Sequence, residues 1–172
     1  MISKEKILQI KAIILDIDGV LTDGRIGYSE TENEIKFFDV KDGLGIKLAL
    51  KAGFYVGILS GRSSKANSIR INELGLSFAY QGEKHKEDGL DKLTKEHGIL
   101  PNECMFIGDD IIDIPVMKKV GIAVAVNDAV NELDKYSHFR TSCKGGRGAV
   151  REAIEWLLKE TGKWENILQR YQ

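Results

Sequence analysis

Six aspartates fall in two tight groups, Asp16, Asp18 and Asp23 near the start of the chain and Asp109, Asp110 and Asp113 much further on. Each group directly follows a short apolar run, residues 11–15 in one case and 105–107 in the other, the pattern of a strand covered on both faces. Two more reactive stretches follow apolar runs in the same way: Ser60-Gly61-Arg62 after residues 54–59, and Lys84 and Lys86 after residues 78–81. A lone Asp is most often a turn or cap residue, but acids that recur after a second strand call for a joint explanation. Carboxylates brought this close repel and raise one another's pKa unless a cation sits among them. Hard oxygen ligands of this kind suit Mg²⁺. A hydroxyl, one of the two lysines and loop amides beside Mg²⁺ would cradle a phosphoryl group. One Asp could then attack phosphorus to form an aspartyl phosphate, while a second, two residues on, protonates the leaving alkoxide and later deprotonates water.

These side chains meet only if the intervening elements bring them together. Apolar runs at residues 11–15, 54–59, 78–81, 105–107 and 122–126 predict five strands. Helices are expected between them: one capped by Asp42 and carrying Leu44, Leu48 and Leu50, one from about Ser64 with Ile69, Ile71 and Leu74, and one with Leu90 and Leu93 ended by Gly98 and Pro101. Another begins at Ile114, and one capped by Asn127 or Asp128 follows the fifth strand. A last helix carries Val150, Ile154, Leu157 and Leu158, and Phe139 marks a short edge strand. This alternation predicts an α/β fold, a Rossmann-like parallel sheet with helices on both faces. Right-handed crossovers put the carboxyl ends of all its strands, where ligands bind, on one edge. Residues 25–40 break the rhythm: Ile26 and Tyr28, then Ile35, Phe37 and Val40, flank a polar turn at residues 29–33. They predict an inserted β-hairpin, either a flap over the site or a plain surface hairpin.

No repeat or linker divides residues 1–172, which read as one domain. Of the side chains 42% are hydrophobic and 30% charged, which excludes a disordered or fibrous class. With 25 basic and 26 acidic residues the formal net charge is -1. No global field therefore recruits nucleic acid or an anionic membrane, and any anion must be held locally. Cys104 and Cys143 form neither a metal-ligand spacing nor a disulfide framework and are expected as reduced thiols. His85, His97 and His138 show no metal-binding pairing. Residues 1–11 lack the features of a signal peptide and no apolar run is long enough to span a bilayer, so a cytoplasmic protein is expected.

Asp16-Ile17-Asp18-Gly19-Val20-Leu21-Thr22-Asp23, Ser60, a downstream Lys and Gly108-Asp109-Asp110-Ile111-Ile112-Asp113 together resemble the four motifs of the haloacid dehalogenase superfamily of phosphatases. The resemblance implies Asp16 as nucleophile, Asp18 as general acid and base, Ser60 as a phosphate-binding residue and Asp109 as a Mg²⁺ ligand. It also implies that Asp16 and the backbone carbonyl of Asp18 coordinate the metal, with Asp110 and Asp113 supporting the ligands from behind. Asp39-Val40-Lys41-Asp42-Gly43, Gly61-Arg62 with Arg70, Gln81-Gly82 with Lys86, and Gly145-Gly146-Arg147-Gly148-Ala149-Val150-Arg151-Glu152 extend the likeness over nearly the whole chain. They resemble the subgroup without a separate cap domain that hydrolyses 3-deoxy-D-manno-octulosonate 8-phosphate in lipopolysaccharide biosynthesis. That narrower resemblance implies Lys86 rather than Lys84 as the phosphate-binding lysine. It implies that Asp18, Asp39, Val40, Lys41, Asp42, Gly43, Gly61, Arg62, Arg70 and Lys86 contact the sugar acid. It further implies a homotetramer, built in part by the hairpin, whose sites are completed by a neighbouring subunit and the carboxyl-terminal segment. A phosphatase for a nine-carbon sugar acid would carry the same motifs. A phospho-receiver module is disfavoured because its acceptor Asp follows the third strand, where this chain has Gln81-Gly82. A fold retained without catalysis is disfavoured by the intact Asp16 and Asp18 pair.

Overall fold

The computed structural model describes residues 2–31 and 33–171; Glu32 of the expected polar turn, Met1 and Gln172 lie outside it. A short helix α1 (Lys4–Leu8), capped by the Ser3 hydroxyl, leads into β1 (Ala12–Leu15), four apolar residues that are all buried. The chain continues through β2 (Gly27–Tyr28), β3 (Glu34–Ile35), α2 (Val40–Lys51), β4 (Tyr55–Ser60), α3 (Lys65–Leu74), β5 (Phe78–Gln81), α4 (Glu87–His97), β6 (Cys104–Gly108), α5 (Ile114–Met117), β7 (Ile122–Ala125), β8 (Phe139–Arg140), α6 (Ala149–Glu160) and α7 (Trp164–Leu168). Six of the strands form one parallel sheet in the order β5-β4-β1-β6-β7-β8. The parallel α/β sheet expected from the alternation is present, and Phe139 supplies its sixth strand.

The order reverses at β1. The chain leaves β1 toward β4 and β5, then crosses back to lay β6 on the other side of β1. A crevice therefore opens between the carboxyl ends of β1 and β6, the position where ligands bind in open α/β sheets. Leu15 pairs with Ile107 in register, so the residues just beyond each strand, Asp16 and Asp109, emerge side by side. Helix α2 packs on α6 and α3, and α6 on α1, while α4 packs on α5. Right-handed crossovers place these two groups on opposite faces of the sheet.

The structure corrects several local expectations. Asp39, not Asp42, caps α2, its carboxylate accepting from the Lys41 N–H at 2.6 Å. Asp42 lies inside the first turn and is 1% exposed, so it cannot serve the solvent-facing end of the helix. Leu44 and Ile69, expected on buried helix faces, are exposed. The helix expected after Asn127 or Asp128 is instead a 3₁₀ stretch, Asn131–Lys135, preceded by Val130. Asp128 turns away to accept from the Gly145 N–H at 2.9 Å.

The hairpin exists but is short: Gly27 pairs with Ile35 and Tyr28 with Glu34, and Val40 belongs to α2. Its facing is the reverse of what an apolar-inward alternation predicts. Ile35 and Phe37 point outward at 43% and 77% exposure, while Glu34 and Lys36 turn toward the sheet edge. A slip of one residue exchanges the two faces of a strand. Here the inward face is charged because it meets the acidic edge.

Candidate active site

Four strand ends deliver the cleft. Beyond β1 the backbone turns at once, with the Val20, Leu21 and Thr22 N–H groups all donating to the Ile17 carbonyl. The buried Thr22 hydroxyl accepts from the N–H groups of Gly19 and Gly24, which fixes this turn from inside. Gly19 has φ +84, and a Cβ there would overlap the Asp109 carboxylate. Only glycine lets the second acid approach the first acid loop.

Asp16 is almost fully buried, with Oδ1 accepting from the Ile17 N–H at 2.7 Å and Oδ2 from Lys86 Nζ at 2.6 Å. The Lys86 ammonium, carried on the turn before α4, also donates to Asp113 Oδ1 at 2.6 Å. The other oxygen of Asp113 accepts from the N–H groups of Asp109 and Asp110. Asp113 thus has both oxygens committed and acts as a brace between the lysine and the Asp109 loop. Ser60 Oγ accepts from the Arg62 N–H at 3.3 Å, which leaves its own O–H free to donate into the cleft.

The cleft has a volume of about 240 Å³ and is lined by Asp16, Asp18, Ser60, Arg62, Lys86 and Asp109, with Gly24, Gly61, Asp110 and Ile112 at its edges. Burial, reinforced by Asp113, pushes the Asp16 carboxyl up to about 6 against the pull of Lys86. Burial, together with Asp16 and Asp113, pushes Asp109 up to about 8. Burial draws the Lys86 ammonium down, but Asp16 and Asp113 outweigh it and its pKa ends above the ordinary lysine value.

Carboxylate oxygens of Asp16, Asp109 and Asp113 lie within 4.8 Å of one another. Three carboxylates against the one ammonium of Lys86 leave two formal negative charges in a largely buried cluster. That is the deficit one divalent cation removes, and an all-oxygen donor set fits a hard cation such as Mg²⁺. Asp113 lies behind the cleft with its oxygens turned to Lys86 and to the Asp109 and Asp110 N–H groups, whereas Asp16 and Asp109 line the cleft and are the carboxylates placed to hold the cation.

Of the residues singled out in the sequence, Asp16, Asp18, Ser60, Gly61, Arg62, Lys86, Asp109 and Asp110 share this cleft, with Asp113 directly behind it. Asp39, Val40, Lys41, Asp42, Gly43 and Arg70 do not line it. Asp39 lines a neighbouring hollow with Arg25, Phe37 and Arg147. Arg70 lies under the hairpin, donating to the Asp39 carbonyl at 3.3 Å and pairing with Glu73 at 3.0 Å. Asp42 accepts from the Gly148 and Arg151 N–H groups at the start of α6. Lys36 escaped the sequence reading: its side chain has no exposed area, and Nζ donates to Asp18 Oδ1 at 2.6 Å. The signal for it was a charge alternating with Ile35 and Phe37, which reads equally well as a solvated face.

A model describing haloacid dehalogenase-like hydrolases matches residues 78–154, the stretch that carries Lys86 and the second acid group, and with the sheet it defines the class. The 3-deoxy-D-manno-octulosonate 8-phosphate phosphatase of Escherichia coli is 43% identical over 154 residues, covering 90% of this chain and 82% of that protein. The solved structure of the Yersinia pestis phosphatase of the same name superposes with a TM-score of 0.90 at 39% identity, covering 94% of this chain and 88% of that one. That from Moraxella catarrhalis, solved in complex with a magnesium ion, a phosphate ion and a KDO molecule, gives 0.94 at 36% identity, covering 98% and 97%. The chain belongs to the 3-deoxy-D-manno-octulosonate 8-phosphate phosphatase family of the haloacid dehalogenase-like hydrolases.

Proposed function

We propose that the protein is a Mg²⁺-dependent phosphomonoesterase that releases phosphate and the free eight-carbon sugar acid from 3-deoxy-D-manno-octulosonate 8-phosphate, in the cytoplasm, for lipopolysaccharide biosynthesis. The observation that carries this reading is the fixing of Asp16 between Lys86 and the Ile17 N–H, with Asp18 two residues on and Asp109 alongside. The magnesium, phosphate and KDO held by the Moraxella catarrhalis relative support it.

The Asp16 carboxylate attacks phosphorus. A P–O bond to Asp16 forms, the ester P–O bond breaks, and the departing sugar oxygen takes the proton of Asp18. Water then attacks the aspartyl phosphate and gives a proton back to Asp18, releasing phosphate and restoring Asp16. Lys86 and the Ser60 hydroxyl hold phosphoryl oxygens and offset the charge that develops on them. Asp16 and Asp109, with the backbone carbonyl of Asp18, would hold Mg²⁺, which when bound neutralises further phosphoryl charge. Asp110 and Asp113 keep the Asp109 loop in place.

The half-exposed Arg62 guanidinium beside Gly61 is the cation placed for the substrate carboxylate, since a planar fork suits that group. Arg70 and residues 39–41, outside the cleft of a single chain, act where a neighbouring subunit closes the site in a homotetramer, while the buried Asp42 ties α2 to α6 and Gly43 leaves room for Arg70. A phosphate-release screen of eight-carbon and nine-carbon sugar acid phosphates against hexose phosphates tests the substrate, with the eight-carbon acid expected to lead; absence of preference sinks that assignment. The Asp16→Asn protein should melt cooperatively yet show no turnover, and retained activity rejects the nucleophile.

A further inference from the structure

The hydrogen bonds around Asp18 single out one residue that no step above uses. Among the described residues, the only side chain that hydrogen-bonds its carboxylate is Lys36, at 2.6 Å to Oδ1. Asp18 Oδ2 is buried without a hydrogen-bond partner, with Arg62 Nε 3.5 Å away. The Arg62 guanidinium is itself turned to Glu34 and is 48% exposed, so it is a weak competitor for Asp18. Lys36 has no exposed side-chain area and lies 3.6 Å from Glu34 Oε2. A buried ammonium is costly unless paired, and Asp18 is its hydrogen-bonded partner. The residue arrives there because the segment running through and just past β3 faces Glu34 and Lys36 inward and Ile35 and Phe37 outward.

We infer that Lys36 is a positioning residue for proton transfer, carried into the cleft by the hairpin to set the orientation of the Asp18 carboxylate toward the leaving oxygen. The inference rests on the role given to Asp18 under the proposed function. In the first half-reaction the O–H bond of Asp18 breaks, the ester oxygen gains that proton and the ester P–O bond breaks. The carboxylate so produced is the partner that the Lys36 ammonium fits. In the second half-reaction the proton comes back from water to the same, still oriented, carboxylate. Flap and acid-base residue are then one device, and an open hairpin leaves Asp18 unaimed.

The test compares two leaving groups: a sugar alkoxide, which needs a proton, and p-nitrophenolate, which leaves without one. General acid catalysis is worth about 10²–10⁴-fold where it operates. Because hydrolysis of the aspartyl phosphate is common to both substrates, the comparison is made in kcat/KM, which reports the first half-reaction alone. Lys36→Met is expected to lower it on the alkyl phosphate by about 30-fold or more and on p-nitrophenyl phosphate by only about 5-fold, with Lys36→Arg recovering part of the difference. Equal losses on both substrates, or no loss on either, overturn the inference. Asp18→Asn runs alongside: if it shows no leaving-group bias, the reading of Asp18 falls and the inference with it, whereas a biased Asp18→Asn with an unbiased Lys36→Met rejects Lys36 alone. Should Lys36→Met fail to melt cooperatively, Lys36→Arg decides, because it keeps the charge but not the geometry. A smaller bias of the same sign supports the inference and an unbiased change rejects it.

Discussion

At Asp109 the charge conflict of the cleft is most exposed. Burial and the two neighbouring acids raise its carboxyl to about 8, so in the metal-free protein at neutral pH it is mostly protonated. A hard cation must then displace that proton to use the carboxylate, and affinity couples to pH. The sign follows: below pH 8 each unit of acid weakens Mg²⁺ binding by up to about tenfold, and above it the dependence fades. Titration calorimetry of Mg²⁺ in buffers of different ionisation enthalpy should show about one proton released per ion at pH 7 and a release that falls toward zero by about pH 9. A release that is zero at pH 7, or that grows with pH, contradicts the cluster as described. Asp109→Ala should remove the proton release and weaken the Mg²⁺ dependence of turnover together; an unchanged titration would count against Asp109 as a ligand.

Between elements, the bond from Asp42 to α6 replaces a cap that the sequence of α6 does not provide. Gly148 at the N-cap position has no side chain, and the buried Asp42 carboxylate from α2 accepts from Gly148 N–H at 3.2 Å and Arg151 N–H at 2.8 Å. Ahead of it, Gly145 and Gly146 lie directly on the backbone of Gly19 and Thr22, with the Gly146 N–H donating to the Val20 carbonyl at 2.8 Å, so α6 backs the acid loop. Asp42→Ala leaves two part-buried N–H groups at the start of α6 without their partner and should cost about 1–3 kcal/mol, a fall in Tm of roughly 2–10 °C for a chain of this length. Burial raises the Asp42 carboxyl from 3.8 to about 6, so its contribution to stability is fullest below the unfolded value and is lost as pH rises through 6. The gap in Tm between wild type and Asp42→Ala should therefore be wider at pH 5 than at pH 8, and the reverse order would refute the linkage. This bond was not legible in the sequence, because it joins residues over a hundred positions apart and Asp42 offers the same local signal as Asp39, the true cap. The sheet was legible because its strands are unbroken apolar runs separated by helical spacing. The acid pair and Ser60 were legible because each directly follows or ends such a run, whereas the run at residues 78–81 left Lys84 and Lys86 open and only the family resemblance pointed to Lys86. Lys36 was not, since the alternation of residues 34–37 is the same whichever face looks inward.

For the whole molecule, the reversed hairpin leaves an apolar surface that the chain itself does not cover. On the hairpin and the helices that follow it, Tyr28, Phe37, Val40 and Ile69 are 60–80% exposed, and Ile35 and Leu44 are 43% and 45% exposed. Ile35, Phe37 and Ile69 line one shallow groove with Arg70. Single exposed apolar residues are ordinary, but a cluster of this kind beside a binding cleft marks a contact surface. The proposed homotetramer gives it an occupant, a second copy of the chain, and explains why the charged face of the hairpin turns inward while the apolar one turns out. Phe37→Glu places a carboxylate in the middle of that surface, where burial against a partner would cost several kcal/mol. Light scattering should give four times the chain mass for the native protein and a smaller species for Phe37→Glu, with the melting transition of the fold retained. If the neighbour completes the cleft, the dissociated variant should lose turnover of the sugar acid phosphate while still binding Mg²⁺ at the Asp16 and Asp109 pair. A native protein that runs as a clean monomer, or a dissociated variant with full turnover, would show instead that each chain closes its own site.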